Sequence, residues 1–134
     1  IQAAILTVKL PHLLSWTNKR KKIAKYYSNQ LKGIKNLKLP KVAKGRKHVW
    51  HLYVIKHNDR DELAKYLLKN GVQTVINYPI ALPFLPAYER YKSKIEDFPN
   101  AYSNQSKIIS LPIYPEMEKK KINYVIDKIK KFKK

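Results

Sequence analysis

The stretch that decides the fold is Gly71-Val72-Gln73-Thr74-Val75-Ile76-Asn77-Tyr78-Pro79. Its alternating pattern predicts a short strand over residues 72–76. The strand must end by Tyr78, because Pro79 has no N–H for a sheet ladder and favours an extended residue before it. Asn77 and Tyr78 therefore emerge at a strand end, where a rigid scaffold can present side chains to a ligand. A simple turn is an equally good interpretation of Asn-Tyr-Pro at this level.

An amphipathic helix is predicted immediately before this strand, over residues 59–70, because its leucines recur at helical spacing. Gly71 follows at the position where helices often end in a left-handed residue. At the start of the helix, Asp59 and Glu62 resemble a capping box. Another strand is predicted over residues 48–55, which are rich in β-branched and aromatic side chains. The order is strand, helix, glycine, strand.

The remaining segments complete a fold of the α/β class. Within that class we expect two layers, with the helices and the sheet arranged as in α+β proteins. We expect a helical run at 1–10, helices at 11–33, 100–107 and 115–132, a strand at 108–113, a polar connection at 34–47 and an irregular segment at 80–99. These elements predict a small, mostly antiparallel sheet of about three strands, covered by the helices at 11–33, 59–70 and 115–132. Residues 1–134 are expected to form a single domain, because a chain of this length supports one modest core.

The composition narrows the class of protein. No cysteine is present, which excludes disulfides and thiolate metal sites. No run of about 18 apolar residues occurs, so no membrane span or membrane partner is expected. These features favour a soluble, cytoplasmic protein. The chain begins with Ile1 rather than Met and opens in an uncapped helical run, so we expect it to be part of a longer protein.

The charge is strongly positive: 29 Lys and Arg against 9 Asp and Glu give a formal net charge of +20. Such a surplus favours an anionic partner, and a stand-alone basic module that binds nucleic acid or another anionic polymer is the alternative interpretation of the chain. However, only four of the basic residues are Arg, the side chain best suited to reading phosphates and bases. The densest lysine cluster, residues 128–134, fits the solvated face of a helix. We therefore do not expect a nucleic-acid partner, although charge alone does not decide between such a partner and an anionic substrate.

His48 and His51 are the candidates for a metal site. Three residues apart on a strand, they would face opposite ways, and no third ligand has a matching spacing, so no metal is expected. His51 is expected to be hydrogen-bonded and partly buried, with a place at an interface or pocket edge as the lesser possibility. The three glycines form no phosphate loop, so a dinucleotide or P-loop site is excluded.

Six segments of the chain resemble one family in order and spacing. They are residues 1–6, 16–27, 48–55 and 71–79, Pro86-Ala87-Tyr88, and Leu111-Pro112-Ile113-Tyr114-Pro115-Glu116-Met117. Together they are similar to the C-terminal part of the DegT/DnrJ/EryC1/StrS aminotransferases. These are pyridoxal-phosphate (PLP) enzymes that install amino groups on nucleotide-linked sugars. Each segment alone is a weak signal, whereas six in register are specific.

The resemblance implies a fold-type I aminotransferase whose large domain, with the cofactor lysine, precedes Ile1. None of the 25 lysines lies in that family's cofactor context, so no catalytic residue is expected here. Alone, the chain should be inactive and bind no PLP. In such enzymes an amino donor, commonly glutamate, supplies the amino group for a keto-sugar, and the active sites form near the interface of a homodimer. The C-terminal domain helps to wall the sugar-nucleotide cleft.

The resemblance also identifies the strand end as a substrate-binding position. The family pattern is usually Gly-Ile-x-Thr-x-x-His-Tyr-Pro, whose His and Tyr approach the sugar nucleotide. Gly71, Thr74, Tyr78 and Pro79 match this pattern, whereas Asn77 stands where His is usual. Asn donates and accepts hydrogen bonds but carries no charge near neutral pH, which argues against a titrating role and points to an altered sugar specificity.

The candidate substrate-binding residues are therefore Tyr78 and Asn77. His51, Tyr88 and Tyr114 are weaker candidates, because each of them could simply pack against neighbouring side chains.

Overall fold

The computed structural model describes residues 1–132 as helices grouped around a small sheet. Its elements are α1 (Gln2–Lys9), α2 (Leu13–Leu31), β1 (Leu37–Lys38), β2 (Tyr53–His57), α3 (Arg60–Lys69), α4 (Pro99–Gln105), β3 (Ile108–Leu111) and α5 (Lys119–Lys131). The strand order is β1-β2-β3, and both neighbouring pairs are antiparallel. The predicted α+β class with a three-stranded antiparallel sheet is confirmed.

The core is built from one face each of α2, α3 and α5 together with β2 and β3. Its buried side chains recur at helical spacing in the helices and at alternate positions in β2, as the sequence pattern predicts. They include Ile23, Ala24, Tyr27 and Leu31 of α2, Tyr53 and Ile55 of β2, Leu63 and Leu67 of α3, Ile109 and Leu111 of β3, and Ile122, Val125, Ile126 and Ile129 of α5.

Two tyrosines join the helix layer to the sheet. The rings of Tyr27 and Tyr53 pack with their centroids 5.1 Å apart. The Tyr27 hydroxyl donates to the Pro112 carbonyl oxygen at 3.0 Å, and the Tyr53 hydroxyl shares a hydrogen bond of 2.8 Å with Ser28. Burial raises the pKa of both phenols. They therefore stay neutral and act as structural hydrogen-bonding groups.

The third strand of the sheet is not the one that the sequence predicts. Residues 72–76, predicted as a strand, form only a single bridge, between Val75 and Ser110 of β3. Instead, β1 pairs with β2, with Leu37 opposite His57 and Lys38 opposite Lys56. This two-residue strand lies inside the segment predicted as a polar connection. It is too short to show an alternating pattern.

The strand predicted over residues 48–55 begins later, at Tyr53, and continues to His57. Trp50 has a φ of 55°, a left-handed conformation that no extended strand contains. Its ring packs between His48 and Tyr53, with centroid distances of 4.2 and 5.5 Å. The backbone N–H of Trp50 donates to His48 Nδ1 at 2.9 Å. Residues 48–52 therefore turn around the Trp50 ring before the sheet begins.

Asp59 stands at the N-cap of α3 as predicted, but the capping box with Glu62 does not form. The Asp59 N–H donates instead to His57 Nδ1 at 3.0 Å, and Glu62 pairs with Lys65 at 3.1 Å. His57, the last residue of β2, thus fixes the turn into α3. Burial lowers the pKa of His57, with smaller opposing contributions from Asp59.

The other predicted boundaries shift by a few residues. The 11–33 helix begins at Leu13, after a 3-10 turn over Leu10–His12, and the 115–132 helix begins only at Lys119. The 80–99 segment is irregular as predicted, with 3-10 turns at Leu82–Phe84, Pro86–Tyr91 and Ile95–Asp97. Positions 133 and 134 of the predicted lysine cluster lie outside the described residues. Within residues 1–132, no helix is long and apolar enough to cross a membrane.

Candidate functional site

The candidate site lies where residues 71–78 run beside β3 at the edge of the sheet. Gly71, with a φ of 72°, ends α3, and the Val72 N–H donates back to the last turn of that helix at 2.8 Å. The Val75 N–H then donates to the Ser110 carbonyl at 3.2 Å, and the Ser110 N–H donates to the Val75 carbonyl at 2.8 Å. This reciprocal pair positions the segment against β3 two residues before Asn77.

Asn77 is half-buried, and a second contact to β3 holds its side chain. Its Nδ2 donates to the Ser110 Oγ at 3.1 Å. Ser110 itself is only 5% exposed. The sequence pattern places Asn77 at a strand end but does not reveal this partner, which lies 33 residues further along the chain. The available signal is a serine within the apolar run Ile108-Ile109-Ser110-Leu111.

Tyr78 follows with its side chain 69% exposed and its backbone at a φ of 58°. The expectation that Pro79 keeps Tyr78 in an extended conformation is therefore wrong. A left-handed conformation at a bulky residue costs about 1–3 kcal/mol and is found where the surrounding structure imposes it, often at functional sites. Here the bridge at Val75 and the anchored Asn77 precede the turn. The outcome is a tyrosine presented to solvent from a tethered segment.

The weaker candidates do not join this pair. His51 is exposed in the turn around Trp50, so its expected burial is wrong, and it forms no hydrogen bond with residues 1–132. Tyr88 lies exposed in a 3-10 turn, 6.2 Å from Tyr91 between ring centroids. Within the described part of the chain, no ring contact or hydrogen bond links either residue to Asn77 or Tyr78. They remain candidates only if another part of the protein completes the site.

Tyr114 instead lines a groove of about 1140 Å³ between residues 71–75 and α5. Met117, Tyr124, Lys120 and Lys121 also line this groove. The sequence analysis missed the groove because its walls come from two segments, residues 71–75 and residues 112–127, that lie far apart in the sequence. It shares residues 71–75 with the candidate site, whereas Asn77 and Tyr78 do not line it.

The model of the DegT/DnrJ/EryC1/StrS aminotransferase family matches residues 1–130. The chain belongs to this family. The predicted resemblance is thereby confirmed.

Relatives within the DegT/DnrJ/EryC1/StrS family are similar over nearly the whole chain. A dTDP-3-amino-3,6-dideoxy-alpha-D-galactopyranose transaminase from Aneurinibacillus thermoaerophilus is 36% identical over 134 residues, covering 98% of this chain and 36% of the relative. A pleiotropic regulatory protein from Geobacillus stearothermophilus is 38% identical, with the same coverage of 98% and 36%. The chain thus spans about a third of the length of the curated relatives it matches.

A solved structure shows the same fold. DesV of S. venezuelae, in complex with a ketimine intermediate, superposes with a TM-score of 0.90 at 34% identity. The superposition covers 96% of this chain and 35% of that protein. The fold described above is therefore that of a DegT/DnrJ/EryC1/StrS family member.

The family implies a PLP cofactor held by a lysine. Within residues 1–132, the buried polar side chains are His57, Arg60 and Ser110, so no lysine is buried in this part of the chain. Arg60 is already engaged, donating to the Ile108 carbonyl at 3.1 Å and pairing with Asp61. No cluster of three metal-ligating side chains occurs in the same residues.

Proposed function

We propose that this chain is the C-terminal domain, as a single unit of residues 1–134, of a PLP-dependent aminotransferase that aminates a nucleotide-linked keto-sugar. The observation that carries the proposal is the family match over residues 1–130, in a chain about a third as long as its relatives. The transaminase relatives named for dTDP-linked amino sugars support the substrate class.

In this proposal, Asn77 and Tyr78 form part of the wall of the sugar-nucleotide cleft. The exposed Tyr78 ring offers a flat apolar face, and its hydroxyl both donates and accepts hydrogen bonds. Asn77 contributes an amide held in a fixed place by β3. His51 and Tyr88 are secondary members, to be completed by residues outside this chain. The positive surplus would favour an anionic diphosphate group.

The rest of the machinery is proposed to lie outside this chain. PLP, when bound, carries the amino group from the amino donor to the sugar, and its lysine would belong to the upstream part. The longer protein is proposed to be a homodimer in the cytoplasm.

The first test compares this chain with a version extended upstream. Each is mixed with PLP, and its absorbance spectrum is recorded before and after treatment with borohydride. We expect a stable band from lysine-bound cofactor only in the extended protein. A specific band in residues 1–134 alone, trapped on one lysine, would contradict the proposal that the cofactor lysine lies elsewhere.

The second test addresses Tyr78 in the longer protein. Tyr78→Phe removes one hydrogen-bonding group, worth about 0.5–1.5 kcal/mol, so the KM for the nucleotide sugar should rise roughly 2- to 10-fold. The half-reaction with the amino donor should stay within about twofold. Tyr124→Phe is the matched control, because the Tyr124 hydroxyl already donates to the Asn70 carbonyl at 2.9 Å. Equal losses in both half-reactions would indicate a structural role for Tyr78.

The formal charge of +20 supports a second candidate, a basic module for nucleic acid or another anionic polymer. Binding of residues 1–134 to a 20-base-pair DNA duplex would be measured from about 50 to 200 mM salt. This candidate predicts submicromolar affinity with a steep salt dependence. The aminotransferase proposal predicts only weak, nonspecific binding.

A further inference from the structure

Ser110 is the buried polar residue closest to the candidate site. It lies within β3 between Ile109 and Leu111, whose side chains belong to the core. A buried hydroxyl is costly unless it is hydrogen-bonded, so a serine at this position needs a partner. Within residues 1–132, that partner is the Asn77 side chain, whose Nδ2 lies 3.1 Å from the Ser110 Oγ.

The same serine also holds the backbone that leads to Asn77. Its N–H and carbonyl form the reciprocal pair with Val75, at 2.8 and 3.2 Å. One residue thus fixes both the path of the segment and the side chain two residues later. The side-chain hydrogen bond restricts the rotation of the Asn77 amide, and the backbone pair restricts the path of the chain just before it.

This geometry leaves one end of the amide available. The Nδ2 and Oδ1 atoms of asparagine diverge from the same carbon, so an Nδ2 directed at β3 leaves the Oδ1 directed away from it. Asn77 as a whole is half-buried rather than enclosed. The Oδ1 has no hydrogen-bond partner in the described part of the chain. The group presented at position 77 is therefore an acceptor.

We infer that Ser110 is a positioning residue that holds the Asn77 amide so that its Oδ1 accepts a hydrogen bond from a hydroxyl of the nucleotide-linked sugar. The inference rests on the proposed function and adds a specificity to it. An oxygen held in this way selects a donor and does not recognise a keto oxygen or a phosphate oxygen, which are acceptors only. A histidine at this position could present either a donor or an acceptor.

The positioning step can be tested on residues 1–134 without any substrate. In ¹H–¹⁵N spectra, the two side-chain amide protons of Asn77 should be resolved from the other asparagines and exchange slowly with water. Ser110→Ala should move them towards solvent-exposed values and speed their exchange about tenfold or more, whereas Ser110→Thr, which keeps a hydroxyl, should preserve them. Ser106→Ala, an exposed serine just before β3, is the control. Unchanged Asn77 signals in Ser110→Ala would overturn the inference, whatever the protein catalyses.

The specificity step is tested in the longer protein by a double-mutant cycle. The probe is dTDP-3-amino-3,6-dideoxy-alpha-D-galactopyranose, assayed in the reverse direction with 2-oxoglutarate. We expect Ser110→Ala to lower kcat/KM for the sugar roughly 2- to 10-fold, and to have no further effect once Asn77 is Ala. Asn77→Asp, which keeps an acceptor oxygen and can accept a hydrogen bond from the Ser110 hydroxyl, should lose less than Asn77→Leu.

The possible results distinguish a failure of the Ser110 positioning role from a failure of the proposed aminotransferase activity. Additive effects of the two alanine substitutions, or equal losses in the amino-donor half-reaction, would overturn the positioning role while leaving the aminotransferase intact. If the wild-type protein transaminates neither this sugar nor a UDP-linked amino sugar, the proposed function fails, and the assignment of a sugar hydroxyl fails with it. In that case the spectra still report on the Ser110 contact.

Discussion

The two ends of α2 lie in different surroundings, although both carry leucine. Leu31, at the last position of the helix, is fully buried, whereas Leu14, in its first turn, is 77% exposed. The preceding helix, α1, contains no buried residue at all. An amphipathic pattern therefore tells which side chains are suited to burial, but not which structure buries them.

The exposed end is an apolar region of the sequence, residues 1–14. Within the first 14 positions, the exposed large apolar side chains are Ile1, Ile5, Leu6, Val8, Leu10, Leu13 and Leu14. Large apolar side chains exposed so close together are typical of interaction surfaces. We expect the upstream part of the proposed enzyme to cover them. The buried end of α2, in contrast, is complete within residues 1–132.

The largest expected effect lies at the buried end. Leu31→Ala removes three buried carbon atoms and leaves a cavity among α2, α5 and the sheet, so the free energy of unfolding should fall by about 2–5 kcal/mol. Urea unfolding of residues 1–134, followed by circular dichroism, measures this loss. A loss below about 1 kcal/mol would show that this end of α2 repacks freely, and the contrast between the two ends would disappear.

A smaller effect distinguishes a buried histidine from an exposed one by the dependence of stability on pH. His57 lies in the core region, where burial lowers its pKa, while His12 lies exposed just before α2. A lowered pKa means that the unfolded chain, with an ordinary His pKa near 6.5, binds more protons than the folded one as the pH falls. The stabilisation is therefore complete above about pH 6.5 and is lost at lower pH. It is reduced, but not cancelled, by the negative charge of Asp59.

The thermal midpoint of residues 1–134 should therefore fall between pH 7.5 and pH 5.5. His57→Asn keeps an acceptor for the Asp59 N–H but cannot titrate, so its decrease over this interval should be smaller. His12→Asn, a substitution at an exposed position, is the control variant. If both variants behave alike, His57 is not the group that makes folding sensitive to acid.

The elements predicted correctly are those whose signal is long and periodic. The buried stripes of α2, α3 and α5 follow from leucine and isoleucine spacing, and β3 follows from an apolar run bounded by proline. The errors fall where a few residues decide the outcome. Only two residues form β1, and β2 begins at Tyr53 rather than at residue 48 because Trp50 has a left-handed conformation. Neither a two-residue ladder nor a single positive φ leaves a periodic trace.

The candidate site divides in the same way. Asn77 and Tyr78 could be selected from the chain itself, because a glycine, a strand pattern and a proline enclose them. Ser110, which holds Asn77, could not be paired with it, since the contact depends on how residues 72–76 lie against β3. The left-handed φ of Tyr78, just after that tether, leaves no trace in the local pattern either. The local sequence pattern thus identifies the side chains of the candidate site, Asn77 and Tyr78. Their orientation depends on tertiary contacts such as the one with Ser110.

The smallest expected effect belongs to Leu14, and it tests the comparison most directly. In residues 1–134, Leu14→Ala removes a side chain that is already mostly in water, so the free energy of unfolding should change by no more than about 0.5 kcal/mol. In the longer protein, the same substitution should cost more than about 1 kcal/mol if the upstream part covers this surface, because apolar area is then buried. Lys19→Ala, on an exposed position of the same helix, is the control for helix propensity and should cost little in both proteins. Equal, small effects of Leu14→Ala in the two proteins would show that the exposed end of α2 stays exposed, and would leave the apolar region without the partner that the proposed function gives it.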